Sequence, residues 1–301
     1  MKLTRKWSWL VIAVTLFSVI FATGCGSAGI TSQPGGKLPA VVSGAPLTVK
    51  VLDVGQGDAI LIRTNEQVVL IDTGDVPARD KLVSMLKSQG ITTVDKLIIT
   101  HPHADHIGGA AAVFANFTVR QVYDSGQRTT SNLYKQYLTQ INKKKIPFTV
   151  VTAGTTIELG NEAVLSVLAP EQPFIGGSEP DLNNNSIVAK LVYGNFSMLM
   201  TGDAEKESEE RMLKKGAASL KSTLLKSGHH GSKTSSSLPF LQAVSPEAAL
   251  ISLGADNEYH HPHPITLKKY NDKKMKVYRT DTDGTLTVTS DGKTYSITKE
   301  R

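Results

Sequence analysis

The chain has 301 residues, of which 40% are apolar and 20% are charged. This length and composition exclude a fibrous or fully disordered protein and are typical of one large globular domain or two small ones. The formal net charge is +6, but three of the positive charges lie within the first six residues, so the rest of the chain carries only +3. Charge by itself therefore does not indicate a nucleic-acid-binding protein.

The N-terminal segment has the features of an export signal. Lys2, Arg5 and Lys6 precede an apolar run over residues 9–22, and small residues then lead to Cys25, the only cysteine. This pattern predicts a signal peptide over residues 1–24. The residues Ala-Thr-Gly-Cys at 22–25 resemble a bacterial lipoprotein signal, which predicts lipidation of Cys25 and a protein held at the outer face of the cell membrane. The alternatives are plain cleavage, which would give a secreted protein, and an uncleaved anchor.

The rest of the chain divides into a linker and a strand-rich domain. Residues 25–46 are rich in Gly, Ser and Pro, which predicts a flexible linker after the lipidated cysteine. Apolar runs between turn residues predict strands near 47–54, 59–63, 68–72, 96–100, 164–168, 186–192, 196–201, 222–226, 248–253, 284–289 and 293–298. Helices are predicted near 78–89, 106–115 and 130–142 and after residue 205. Residues 47–301 are therefore predicted to form one α/β (α+β) domain, with sheets packed face to face and helices outside.

Histidines are confined to three clusters, each of which follows a predicted strand. All eight lie at positions 101–106, 229–230 and 260–263. Rigid strands can bring the loops at their ends together, as a metal site requires. Imidazole combined with carboxylate suits zinc, manganese or iron. The clustering therefore predicts a metal centre.

The first cluster has the spacing H-x-H-x-D-H. Residues two apart on an extended chain point the same way, so His101 and His103 are predicted to share one metal ion. Asp105 and His106 follow in the first turn of a predicted helix and face a second position. The alternative, a solvated helix N-terminus, explains the four specified residues poorly.

Further ligands are predicted from the second half of the chain. Asp203 follows a strand, and its carboxylate is predicted to bridge two cations. Adjacent side chains diverge, so only one of His229 and His230 is expected to be a ligand; we take His229 as the ligand and His230 as a catalytic group, although the sequence leaves the choice open. In the third cluster His261 is preferred as a ligand over His263. Ser232 has no ordered triad around it, so the predicted nucleophile is a hydroxide that bridges two metal ions.

With these residues in place, the chain resembles the metallo-β-lactamase superfamily. Within it, the chain is most similar to the soluble domain of ComEC-type DNA-uptake proteins. The matching motifs lie at 53–58, 71–74, 100–109, 184–186, 201–203, 229–235 and 259–264. The match spans roughly residues 47–298.

This resemblance implies a four-layer αββα sandwich with two divalent cations, Zn²⁺ first and Mn²⁺ second, at one sheet edge. It implies that His101 and His103 bind one ion, Asp105 and His106 the other, and that Asp203 lies between them, with His229 or His230 and His261 completing the ligand set. Members often carry one more histidine before the bridging aspartate, but here Asn185 and Ser186 occupy that region. We therefore expect Asn185 to contact a substrate phosphate. Other residues expected to support ligands or contact the substrate are Asp58, Asp72, Ser186, Ser232 and His263.

The function that these expectations favour is an exported metal-dependent phosphodiesterase, with DNA or RNA as a candidate substrate. Asp105, His230 and Asn185 are its predicted catalytic residues. The alternative is a phosphorylcholine esterase or another hydrolase of cell-envelope phosphoesters. Hydrolysis of lactams or amides, and a non-catalytic binding module, rank lower. A fold of this kind hosts many chemistries and does not choose the substrate.

Overall fold

The structure is a computed structural model that describes residues 47–176 and 181–301. The predicted signal peptide, the lipidated Cys25 and the linker lie outside the described residues. In the part of the chain that the structure describes, every helix is too short or too polar to span a lipid bilayer.

Strands dominate both halves of the described chain. In chain order they are β1 (Leu47–Val51), β2 (Ile60–Arg63), β3 (Val68–Ile71), β4 (Thr93–Val94), β5 (Lys96–Ile99), β6 (Thr118–Val119), β7 (Val122–Asp124), β8 (Phe148–Val150), β9 (Thr156–Glu158), β10 (Val164–Ala169), β11 (Val188–Tyr193), β12 (Phe196–Met200), β13 (Leu224–Lys226), β14 (Ala248–Ile251), β15 (Lys276–Arg279), β16 (Leu286–Ser290) and β17 (Tyr295–Lys299). The helices are α1 (Arg79–Ser88), α2 (Ala104–Ile107), α3 (Ala110–Asn116), α4 (Asn132–Lys144), α5 (Lys206–Leu220), α6 (Leu238–Val244), α7 (Pro264–Asp272) and α8 (Thr280–Asp283).

The strands form two large sheets and one short pair. The first sheet has the order β17-β16-β1-β2-β3-β5-β7-β8, the second has the order β15-β14-β13-β12-β11-β10-β9, and β4 pairs with β6. In the first sheet β3, β5, β7 and β8 are parallel, and in the second β12, β13, β14 and β15 are parallel. Carboxyl ends of parallel strands meet at one edge of a sheet, so the loops that follow β3, β5, β12, β13 and β14 gather there.

Three apolar clusters show that each sheet is buried on both faces. One cluster lies between the sheets and includes Val49, Ile62, Leu191 and Met198. A second packs the other face of the first sheet against α1, α3 and α4, and a third packs the other face of the second sheet against α5, α6 and α7. The order of layers is therefore helix, sheet, sheet, helix. The predicted four-layer αββα sandwich is confirmed.

Several elements differ from the sequence prediction. The helix predicted near 106–115 is two helices, α2 and α3, separated by Gly108 and Gly109. A Cβ atom on Gly108 would lie 2.5 Å from Val76 N, and one on Gly109 would lie 2.3 Å from Thr73 O. The backbones are thus in contact, which leaves no room for a side chain at either position. Strands β7, β8 and β9 have only three residues each, too few to show an alternating pattern, and they were not predicted.

Candidate metal centre

Four side chains from distant parts of the chain meet at the edge where the loops gather. Asp105, His106, Asp203 and His230 each offer one ligand atom, and these atoms all lie within 4.8 Å of one another. Asp203 Oδ2 lies 3.3 Å from His106 Nε2 and 3.5 Å from His230 Nε2. Asp105 Oδ2 lies 3.2 Å from His230 Nε2. Two imidazoles and two carboxylates therefore face one point.

His101 and His103 form a second group beside Asp203. His101 Nε2 lies 3.0 Å from His103 Nδ1 and 4.0 Å from Asp203 Oδ2. The ring centroids of His101 and His106 are 4.1 Å apart, so the two groups adjoin. The structure thus brings the first histidine cluster and Asp203 together.

Asp72, directly after β3, holds the first cluster in place. Its carboxylate accepts hydrogen bonds from the Thr100 amide at 2.8 Å, from the Thr100 hydroxyl at 2.7 Å and from His106 Nδ1 at 2.8 Å. Because Nδ1 donates to Asp72, Nε2 is the nitrogen of His106 that faces the cluster, and it can bind a cation once it has lost its proton. Burial raises the pKa of Asp72, although the neighbouring His106 opposes the rise.

Ser186 connects two members of the site. Its hydroxyl oxygen lies 3.2 Å from His101 Nδ1 and accepts a hydrogen bond from the Asp203 amide at 3.2 Å. The Thr100 hydroxyl lies 3.1 Å from the same His101 nitrogen. Ser186 therefore orients the ring of His101 and the backbone that carries Asp203.

A buried ion pair between Asp58 and Lys226 lies next to His230 on the side away from the ligand group. His230 Nδ1 donates a hydrogen bond to Ser252 O at 2.9 Å and lies 3.4 Å from Asp58 Oδ1, while Asp58 Oδ2 lies 2.6 Å from Lys226 Nζ. Burial by itself would raise the pKa of Asp58, but Lys226 and His230 bring it down to about 2. Sequence reasoning missed Lys226 and Ser252. A lysine that ends the otherwise apolar strand β13 was the available signal, since a fully buried lysine almost always has a partner.

His229 faces the site as well, contrary to the expectation that neighbouring side chains diverge. His229 and His230 both have left-handed backbone conformations, with φ angles of 47° and 51°. This tight turn lets His229 Nε2 approach to 3.8 Å from Asp203 Oδ2. Its Nδ1 donates to Glu205 Oε1 at 2.8 Å, and Thr234 Oγ1 donates to the same oxygen at 2.8 Å. Glu205 was not singled out from the sequence, where it is one of four glutamates near the start of α5.

The third histidine cluster lies beside the compact ligand group, and the assignment of His261 as a ligand stays a prediction. The His261 ring centroid is 5.5 Å from that of His229 and 6.2 Å from that of His230. His263 Nδ1 accepts a hydrogen bond from the Lys233 amide at 3.1 Å. The Ser232 hydroxyl lies 2.9 Å from that of Thr234, which connects it to the Glu205 network.

The interpretation of Asn185 as a catalytic residue needs correction. Its side-chain amide donates to Asp181 O at 2.7 Å and Ile175 O at 2.9 Å, and its carbonyl accepts from the Ile175 amide at 2.9 Å. The side chain is engaged by nearby backbone, so it is not free to bind a substrate phosphate. The adjacent Asn184 instead caps α5 by accepting from the Glu205 and Ser208 amides.

Comparison with known proteins agrees with this geometry. The family model described as "Metallo-beta-lactamase superfamily" matches residues 52–255. The chain belongs to the metallo-β-lactamase superfamily. This match confirms the resemblance to the superfamily, and the curated relatives confirm the resemblance to its ComEC-type members.

Among curated superfamily relatives, ComE operon protein 3 of Bacillus subtilis (strain 168) is 32% identical over 256 residues, which cover 79% of this chain and 32% of the relative. Competence protein ComA of Neisseria gonorrhoeae is 33% identical over 254 residues, which cover 82% of this chain and 33% of the relative. The chain thus spans about one third of the length of these relatives. The metallo-β-lactamase fold protein YhfI of Bacillus subtilis matches with a TM-score of 0.55 and 13% identity over 80% of this chain and 99% of its own, which supports the fold alone.

The residues fit the divalent metal ions that the superfamily uses. His106 Nε2, His230 Nε2 and one oxygen of Asp203 are buried and have no hydrogen-bond partner among the described residues. Each such atom costs about 1–3 kcal/mol when left unsatisfied, unless a ligand takes it. Burial by itself would lower the pKa of His106, but Asp203, Asp105 and Asp72 raise it well above its usual value. The carboxylates therefore create a negative field that favours the binding of cations. The combination of imidazole and carboxylate ligands suits Zn²⁺ or Mn²⁺.

Proposed function

We propose that this chain is an exported metal-dependent phosphodiesterase that cleaves nucleic acid, DNA or RNA, at a centre of two divalent cations. The observation that carries the proposal is the position of Asp203. Its Oδ2 lies within 4.0 Å of imidazole nitrogens from His101, His106, His229 and His230. A carboxylate with nitrogen donors around it, from the segments that follow β5 and β13, would suit a centre of two cations.

The ligands divide into two sets that share Asp203. One cation would be held by His101, His103 and His229, and the other by Asp105, His106 and His230. In this assignment His229 takes the place of the additional histidine that many superfamily members carry. Paired divalent cations lower the pKa of bound water to about 7 and polarise the scissile group, which makes hydrolysis possible without a serine or cysteine nucleophile.

The chain's own residues would orient this centre. Asp72, Glu205 and the carbonyl of Ser252 each accept the Nδ1 proton of one histidine, which leaves three Nε2 atoms aimed at the centre. Because these partners also belong to strand ends and tight turns, the imidazole positions are fixed before a substrate binds. Such fixed geometry is what catalysis at a metal centre requires.

The choice of substrate rests on the relatives and on chemistry. A phosphodiester offers two unesterified oxygens that paired cations can polarise together. The relative that is 33% identical is a competence protein, and the chain resembles ComEC-type DNA-uptake proteins. This relationship favours nucleic acid over other phosphodiesters as the substrate. Residues 1–25 supply the export signal and the lipid anchor in this proposal.

The test is an activity assay on the detergent-solubilised full chain supplied with Zn²⁺ or Mn²⁺. The substrates are single-stranded DNA, duplex DNA, RNA and bis(p-nitrophenyl) phosphate. Asp203→Asn and His103→Ala should lower the rate by more than about 100-fold, since even residues that only support ligands cost 10- to 100-fold when mutated. Asp272→Asn, the same chemical change at an exposed residue of α7, is the matched control and should keep full activity.

Two further substrates separate the alternatives. p-Nitrophenyl phosphorylcholine tests the cell-envelope esterase, and a chromogenic cephalosporin tests lactam hydrolysis. Preference for either substrate over nucleic acid by tenfold or more in kcat/KM would replace the proposed substrate class. Equal rates in wild type and both ligand variants would refute a metal-dependent hydrolase at this centre.

A further inference from the structure

An aromatic side chain stands exposed beside the candidate metal centre. Tyr259 lies in the loop before the third histidine cluster, and 52% of it is accessible to solvent. Its ring stacks on that of His261, with centroids 5.7 Å apart and an angle of 24° between the planes. An exposed tyrosine with one face covered by a parallel ring presents a flat apolar surface on the other side.

The position of Tyr259 relative to the centre follows from the stacked rings. His261 stacks against His230 at 6.2 Å and meets His229 edge-on at 5.5 Å. His261 is therefore a neighbour of Tyr259 and also of two proposed ligands. A nucleotide whose base stacks on the free face of Tyr259 would extend its phosphate past His261 toward the cations.

A lysine lies beside His263, another neighbour of His261. The His263 ring is 4.9 Å from that of His261, and the backbone amide of Lys233 donates to His263 Nδ1 at 3.1 Å. The Lys233 side chain is exposed. His261 thus has Tyr259 as one neighbour, which can stack on a base, and His263 as another, and Lys233 beside His263 can attract a phosphate.

We propose that Tyr259 forms a binding subsite for a nucleobase, namely the base of the nucleotide that adjoins the phosphodiester being cleaved. This inference rests on the proposed function for the identity of the reaction at the metal centre. Bases within a duplex have both faces covered by neighbours, whereas bases of a single strand are free to stack on an aromatic ring. The subsite therefore selects single-stranded or unpaired nucleic acid, and it tolerates any base because every base has a π face.

The experiment compares two small phosphodiesters that differ only in the base. One is the p-nitrophenyl ester of thymidine 5′-monophosphate, and the other is its abasic counterpart, in which hydrogen replaces thymine. For Tyr259→Leu we expect kcat/KM on the thymidine ester to fall by roughly 10- to 100-fold, the range for loss of one base stack. On the abasic ester it should stay within about twofold of wild type, and Tyr259→Phe should behave as wild type on both esters. Phe148→Leu, which removes an exposed aromatic ring from the edge strand β8, is the matched control and should change neither rate.

The results distinguish base stacking from a role in supporting His261. If Tyr259→Leu lowers kcat/KM equally on both esters, the tyrosine acts through His261 and the subsite is refuted. Equal kcat/KM of wild type on the two esters also refutes it.

If wild type hydrolyses neither ester, the proposed function fails and the subsite is tested by binding. Fluorescence anisotropy would compare a labelled oligothymidylate of ten residues with an abasic strand of the same length. Tighter binding of the oligothymidylate to wild type, lost in Tyr259→Leu, supports the subsite without the reaction. Equal binding of both strands to wild type overturns it.

Discussion

Lys226 Nζ lies 2.6 Å from Asp58 Oδ2, and both side chains are buried completely within the domain. The lysine also donates to Ser227 O at 2.9 Å. Asp58 in turn lies against His230, so the ion pair connects strand β13 to the loop after β1 directly beneath the candidate metal centre. Each charge is stabilised by the other, because neither side chain reaches solvent.

Removing one partner should therefore be costly. We expect Lys226→Met to lower the free energy of unfolding by about 3–5 kcal/mol, because it leaves the Asp58 carboxylate buried without its counter-charge. Urea denaturation monitored by circular dichroism measures the change. The double variant Lys226→Met with Asp58→Asn should recover much of the loss, and losses that simply add would show that the two residues are not coupled.

Asp124 gives the fold a pH dependence that is separate from the metal centre. Burial raises its pKa to about 6, and hydrogen bonds from the Gly126 amide and the Tyr137 hydroxyl only partly oppose this. A folded-state pKa above the unfolded value of about 3.9 stabilises the fold below pH 4, and this contribution is lost as the pH rises through 6. Asp124→Asn mimics the protonated acid and should keep that stability.

The comparison uses unfolding free energies of wild type and Asp124→Asn between pH 4 and 8. The two proteins should be similar near pH 4, and the variant should be more stable by about 3 kcal/mol at pH 8, since two pKa units correspond to that energy. A difference that does not change with pH would contradict the assignment.

Gly57 has no room for a side chain, so we expect any substitution there to destabilise the fold. Its φ is +114°, and a Cβ atom would lie 2.2 Å from Asp105 O, within the residue that carries a proposed ligand. Gly55 also has a positive φ, +80°, but nothing lies within 4 Å of its Cβ position. Gly55→Ala should therefore cost about 1 kcal/mol from backbone strain, while Gly57→Ala should cost several times more and reduce metal binding. Thermal unfolding and metal content by mass spectrometry measure both effects, and equal losses in the two variants would exclude the steric explanation.

Metal removal should destabilise the wild type but not a variant that has lost the bridging carboxylate. A ligand that binds only the folded state adds about 2.7 kcal/mol of stability at one hundred times its Kd. Chelation by EDTA should therefore lower the Tm of wild type by several degrees, while Asp203→Asn should show almost no shift. An unchanged Tm in wild type, together with less than half an equivalent of metal, would favour a binding module over a hydrolase.

The lipid anchor is tested by expression of the full chain in a bacterial host. Cys25→Ser should abolish incorporation of labelled palmitate and move the protein from the detergent phase to the aqueous phase in Triton X-114 partitioning. Equal incorporation in wild type and variant would rule out lipidation at this position.

The amino-acid sequence was sufficient to predict the residues of the first histidine cluster and the sandwich architecture. The spacing of His101, His103, Asp105 and His106 is local, so a short stretch of chain carries all of it. The apolar runs of β10 to β12, which have five or six residues each, were long enough to predict those strands. Strands of three residues such as β7 and β8 carry no clear pattern, and only the pairing of β7 with β5 and of β8 with β7 in the folded sheet defines them.

Long-range arrangement decided the remainder of the site. The left-handed turn at His229 and His230 directs both rings toward Asp203, and this conformation follows from packing rather than from the two residue types. Lys226, Glu205 and Ser252 acquire their roles from partners between 22 and 168 positions away along the chain. Local sequence can indicate which side chains are candidate ligands of a cation, but the partners that orient them depend on distances that only the assembled sheets create.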